Sequence, residues 1–276
     1  MSLKVRNLQY TYPKASDPVI RDISFEVPDG CIASVIGANG VGKSTLIKSM
    51  LGIFKASGEV WINDKPRQQL GQQLLFKQVG YMTQENALLS SLSVLDVVLL
   101  GRLGSLNIRV QDEDLDKAMS VIRMLHLEPF INRPFYALSG GQRRMVDVAQ
   151  TLVRDPQILV MDEPTANLDL VNELQVLELV RAYTKQKKTA TLLTLHDLNL
   201  AARYSDHLIL LKDGKIFLEG CPKDVLTEEV IQEAYGVSVH VHISSRTKTP
   251  MVLPLEAVQK TEYQFGGDSN GTAGED

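Results

Sequence analysis

Cysteine is nearly absent: 276 residues contain two, Cys31 and Cys221. That excludes a disulfide scaffold and suits a reducing compartment. No apolar run approaches the roughly 18 residues needed to cross a bilayer; the longest candidates lie at 97–100 and 158–161. The first ten residues, MSLKVRNLQY, lack the apolar core of a secretory signal. The chain is therefore expected to be soluble by itself, which leaves room for a membrane partner. Neither charge sign dominates: 29 basic residues against 33 acidic give a net charge of −4, too little field to gather nucleic acid or an anionic membrane. There is no internal repeat at periods of about 20–50 residues. With 44% hydrophobic and 22% charged residues, the composition excludes disordered, collagen-like and coiled-coil classes. The length fits one large domain or a domain with a built-in subdomain.

Short β-type runs bounded by turn residues occur at 23–27 and 31–36, followed by a helical pattern at 43–51 and further strands at 58–62 and 79–82. From about 86 to 153 the pattern changes. Apolar spacings of three and four at 94–100, 115–125 and 141–153 predict a mostly helical insert. The run 158–161 is wholly apolar, as in a strand buried on both faces. A helix near 172–183 and a strand at 189–195 follow. This alternation predicts an α/β fold, a parallel sheet with helices around it. Lys212-Asp213-Gly214-Lys215 reads as a tight hairpin, and 266–276 (GGDSNGTAGED) as a disordered tail.

The strongest local signal is Gly37-Ala38-Asn39-Gly40-Val41-Gly42-Lys43-Ser44-Thr45, which fits the phosphate-loop pattern between a strand and a helix. Its glycines let backbone N–H groups turn inward around phosphate oxygens, and the helix N-terminus adds partial positive charge. Lys43 can reach the β- and γ-phosphates, and the Ser44 hydroxyl can ligate Mg²⁺. Downstream, Asp162 and Glu163 end the apolar run before Pro164. Asp162 can hold Mg²⁺, and Glu163 can polarise an attacking water as a general base. Leu138-Ser139-Gly140-Gly141-Gln142 opens a helix with a second anion-binding N-terminus.

Taken together, these three motifs resemble the ATP-binding subunit of an ABC transporter, with residues 138–142 similar to that family's signature sequence. The resemblance runs from about residue 1 to 255. It implies a P-loop NTPase core, a RecA-like mixed or parallel sheet with an N-terminal antiparallel β part, carrying an inserted α-helical subdomain. It also implies a Mg²⁺-dependent ATPase. Tyr12 resembles the aromatic residue that stacks on adenine, with Tyr10 the alternative. Gln84 resembles the glutamine that meets Mg²⁺ and water at the entry to the helical subdomain. Asn167-Leu168-Asp169 matches a loop at the dimer interface, and His196 the histidine that contacts the γ-phosphate. Phosphate-loop positions Gly37, Asn39, Gly40, Gly42, Lys43, Ser44 and Thr45 and signature positions Ser139, Gly140, Gly141 and Gln142 are the implied ATP contacts. The chain departs from many relatives at Thr165-Ala166-Asn167, at Gln150 and at Thr83.

The implied partners are a second copy of the chain, sharing ATP between them, polytopic permease subunits and, indirectly, a substrate-binding protein, with no nucleic acid. The segment 196–204, the run Val97-Val98-Leu99-Leu100-Gly101-Arg102 and the end Tyr235-Gly236-Val237 resemble the importer branch for iron–siderophore, haem and cobalamin uptake. Import of haem, cobalamin, zinc, manganese or molybdate, a separate-subunit exporter and, last, a soluble ABC-type ATPase acting on nucleic acid are the alternatives. The implied place is the cytoplasmic face of a bacterial inner membrane. The expected division is an ATPase domain over 1–240 with its helical subdomain at about 86–153, a β-like extension over 241–265, and the tail.

Overall fold

The computed structural model describes residues 2–82, 91–102 and 110–258. The chain opens with β1 (Ser2–Tyr10), β2 (Ile20–Pro28) and β3 (Ile32–Ile36), then α1 (Lys43–Leu51), β4 (Ser57–Ile62), β5 (Lys65–Pro66), α2 (Gln72–Gln78) and β6 (Val79–Met82). A helical stretch holds α3 (Val94–Leu100), α4 (Asp112–Met124) and α5 (Gly140–Leu152). Next come β7 (Ile158–Met161), α6 (Leu170–Lys187), β8 (Ala190–Thr194), α7 (Leu198–Tyr204), β9 (His207–Lys212) and β10 (Lys215–Gly220). The last described elements are α8 (Pro222–Val225), α9 (Glu228–Tyr235), β11 (Val237–Ile243) and β12 (Pro250–Ala257).

Six strands form the central sheet in the order β10-β9-β3-β8-β7-β6. Its strands β6, β7, β8, β3 and β9 are parallel, and β10 closes the edge antiparallel to β9. Every residue of β3, β7 and β8 is buried, as expected of strands covered on both faces. Alternate residues divide between two cores. Ile32, Ile36, Leu159 and Met161 face the core shared with α3, α4, α5 and α6. Ala33, Val35, Ile158 and Val160 face the core shared with α1 and the antiparallel sheet β2-β1-β4-β5. The period of two along each strand thus joins three layers.

Six elements were not expected from sequence: β1, which pairs on both sides with β2 and β4, the two-residue strand β5, and the short helices α2, α7, α8 and α9. The β-like stretch expected over 241–265 is, where described, the hairpin β11–β12, and β11 begins at Val237. Residues 266–276, expected to be disordered, lie outside the described residues.

Candidate functional site

The phosphate-loop motif, the two acids and the histidine all follow the carboxyl ends of neighbouring parallel strands. The loop follows β3, Asp162 and Glu163 follow β7, and His196 follows β8. Because β8 sits between β3 and β7, the three connections converge, as is usual for ligand sites in open α/β sheets. They enclose an open cleft of about 570 Å³ lined by Tyr12, Val19, Asn39, Gly40, Gly42, Lys43, Ser44, Thr45, Glu163 and His196.

The loop's shape depends on its glycines. Gly37 has φ +145°, and a Cβ there would stand 2.6 Å from the carbonyl oxygen of Leu211. Gly42, at φ +109°, is the N-cap of α1 and has no side chain to cap it. The first amides of α1 are thereby left for an anion. Lys43 is buried, and its Nζ donates to the carbonyls of Gly37 at 2.7 Å and Ala38 at 3.1 Å. Burial lowers its pKa, against the opposing pull of Glu163 and Asp162.

Asp162 is 1% exposed. Its Oδ1 accepts the Thr194 hydroxyl at 2.7 Å, and the same hydroxyl oxygen accepts the Glu163 backbone N–H at 2.8 Å. Glu163 lies in the left-handed region at φ +51°. His196 Nε2 stands 2.5 Å from Glu163 Oε1. Behind these acids, buried Arg144 of α5 donates from Nη2 to the carbonyls of Asp162, at 2.8 Å, and of Glu163, and from Nε to Pro164 at 3.3 Å. Burial pushes the Tyr81 phenol up to about 12, with the negative charge of Asp162 acting in the same direction.

The two tyrosines are not equivalent. Tyr10 is 8% exposed and stacks on Phe54, with ring centroids 4.9 Å apart. Tyr12 is 39% exposed at the cleft, set edge-on to both rings, with its hydroxyl 2.8 Å from Thr45 Oγ1.

The signature residues do not line this cleft. Ser139 caps α5 through a reciprocal pair with Gln142: its hydroxyl accepts the Gln142 N–H at 3.2 Å, and its own N–H donates to Gln142 Oε1 at 3.0 Å. A Cβ at Gly140 would meet nothing within 4 Å, and one at Gly141 would touch Leu168 at 3.5 Å. Asp169 caps α6 by accepting the Asn172 N–H at 2.8 Å. Gln84 lies outside the described residues. Sequence reasoning did not find Thr194 or Arg144. For Thr194 the available signal was a hydroxyl at the site end of the strand run Ala190-Thr191-Leu192-Leu193-Thr194, two residues before His196.

The family described as "ABC transporter" matches residues 20–166. An uncharacterized ABC transporter ATP-binding protein of Methanocaldococcus jannaschii is 39% identical over 92% of this chain and 98% of its own length. The ferric enterobactin transport ATP-binding protein of Escherichia coli is 32% identical over 91% of this chain and 94% of its own. Among solved structures, a metal-chelate type ABC transporter in an inward-facing conformation matches with a TM-score of 0.77 and 27% identity, over 92% of this chain and 97% of that one. A dimeric ATP-binding cassette in a post-hydrolysis state, bound to ADP and Pi, matches with a TM-score of 0.72 and 27% identity, over 79% and 98%.

Proposed function

The chain belongs to the ABC transporter family as an ATP-binding, ATP-hydrolysing transport subunit, and from that premise we propose that it energises uptake of an iron–siderophore or related metal chelate. The observation that carries the chemistry is the opposition, within one cleft, of the Lys43 loop and the His196–Glu163 pair. The cargo reading is supported by similarity to a ferric enterobactin transport protein and to a metal-chelate type transporter.

In this reading the phosphates of ATP lie along the 37–45 loop, with Asn39, Gly40, Gly42 and Thr45 around them. Lys43 exchanges its two carbonyl acceptors for phosphate oxygens, a stronger charge-assisted pairing. Adenine stacks on the exposed ring of Tyr12. Glu163 takes the proton of the attacking water, while His196 fixes one of its carboxylate oxygens and faces the γ-phosphate. Gln84 orients the same water and serves as the hinge to the helical subdomain.

The residues present fit Mg²⁺. Ser44 and Asp162 offer a hydroxyl and a carboxylate, both hard oxygen donors. When bound, Mg²⁺ neutralises charge on the β- and γ-oxygens.

The active unit is a pair of chains. Ser139, Gly140, Gly141 and Gln142 of one copy close over the nucleotide held by Lys43 of the other, and the open space at Gly140 supports this placement. No helix among the described residues is long and apolar enough to cross a membrane. In this reading the pair docks on polytopic permease subunits at the cytoplasmic face of the inner membrane, with a substrate-binding protein delivering cargo on the far side.

Uptake of labelled ferric siderophores by a deletion strain tests the cargo. The strain should lose uptake of at least one chelate and regain it with the intact gene. Normal uptake of every iron chelate and cobalamin tested, in a background with no second system, would overturn the assignment.

A further inference from the structure

We propose that Thr194 is a positioning residue for both acids, setting the Asp162 carboxylate for the metal and the Glu163 backbone for hydrolysis. The inference rests on the reading of Asp162 and Glu163 given above.

Thr194 is the last residue of β8, is fully buried, and touches both acids through one oxygen. The direction of its two bonds is forced. A backbone N–H only donates and a carboxylate only accepts, so the single hydroxyl proton goes to Asp162 and an oxygen lone pair receives Glu163 N–H. Oδ1 of Asp162 accepts the hydroxyl, which fixes the rotation of the carboxylate. At Glu163 the left-handed backbone is held from three sides: its N–H by Thr194, its carbonyl by Arg144 and its carboxylate by His196. A non-glycine residue in that region persists only where its surroundings hold it.

Thr194 ends β8, and His196 follows two residues later in the connection to α7. The two acids directly follow the neighbouring strand β7, and the register pairs Met161 with Leu193. One strand end thus supports both acids of the next. The other buried threonine of β8 differs: Thr191 bonds Thr184 of α6 at 2.7 Å and ties the helix to the sheet.

The test uses full-length Thr194→Val, Thr194→Ala and Thr194→Ser, beside Asp162→Asn. Binding of a fluorescent ATP analogue is measured with Mg²⁺ and with chelator, and turnover is measured separately. Removing an outer hydrogen-bond partner of a metal ligand commonly costs about 10–100-fold in affinity or activity. Thr194→Val should therefore bind the analogue normally in chelator, lose about tenfold or more of the tightening that Mg²⁺ brings, and lose turnover similarly. Thr194→Ser should recover both. If the Val protein does not fold, the Ala protein carries the same expectation. Wild-type Mg²⁺ response and turnover in Val or Ala, while Asp162→Asn loses the response, overturns the role of Thr194 alone. Equal loss in Ser and Val overturns it too, because the hydroxyl is then not the agent. An unchanged Mg²⁺ response in Asp162→Asn would sink the reading on which the inference rests.

Discussion

His196 and Glu163 stand at the ends of adjacent parallel strands, and Nε2 of the one reaches Oε1 of the other at 2.5 Å. The pair is where the two halves of the site meet. Glu163 follows the strand that leads to the helix bearing Asp169, and His196 leads into α7. A movement of either strand end would change the orientation of the carboxylate. Under the proposed roles, with Glu163 as the base and His196 facing the γ-phosphate, this contact would make water activation responsive to the presence of nucleotide.

The aromatic trio separates binding from folding. Tyr12→Ala should weaken ATP binding by about 1–3 kcal/mol, the range of base–aromatic stacking, with little change in melting temperature. Tyr10→Ala should do the reverse, because its ring is buried against Phe54 and truncation leaves a cavity costing about 3–5 kcal/mol. Isothermal titration with ATP and thermal unfolding, run on both variants, give the comparison.

Arg144 joins the signature helix to the acids through three backbone carbonyls. Truncation to Ala removes a buried cation's bonds and strands those acceptors, at about 1–3 kcal/mol for each group left unpaired. Denaturant unfolding of Arg144→Ala should show a loss of about 2–4 kcal/mol, within the range typical of a broken buried network. Turnover should fall more than ATP binding, since the carbonyls held are those of Asp162, Glu163 and Pro164.

Much of this arrangement is legible in the sequence, and the exceptions share a cause. The helix at 43–51, the strands at 79–82 and 158–161 and the helix at 94–100 carry their own punctuation or periodicity, and the structure has the same bounds. The strand β1 reads poorly because its burial alternation breaks at Arg6 and Asn7, where the register shifts; pairing on both sides makes it a strand. The helix α2 is seven residues long and mostly polar, too short for a periodic signal. Lys43, Ser44 and Glu163 stand out by motif. Thr194 and Arg144 do not, because their partners are more than fifteen residues away and are brought close by strand order and helix packing. The proposal of Tyr12 rather than Tyr10 for adenine likewise rests on burial, which the sequence alone leaves open.

A mixed pair of chains tests whether the nucleotide site is shared. One copy carries Lys43→Ala and the other Ser139→Ala. If each site combines the loop of one copy with the signature of the other, one composite site carries both defects and the second is intact. The mixed pair should then retain activity that neither homodimer shows. Activity no higher than in the two homodimers would place each site within a single chain.

Glu163 is proposed to act in the hydrolytic step and Lys43 in binding. ATP affinity and single-turnover hydrolysis, measured on the same preparations of Glu163→Gln and Lys43→Ala, separate the two roles. Glu163→Gln should bind ATP as the wild type does and hydrolyse it about 10²–10⁴-fold more slowly, the usual worth of a general base. Lys43→Ala should lose affinity first, by about tenfold or more, because it removes a charge-assisted contact worth about 1.5–3 kcal/mol. Equal losses of binding and hydrolysis in Glu163→Gln, or near-normal hydrolysis in that protein, would contradict the claim.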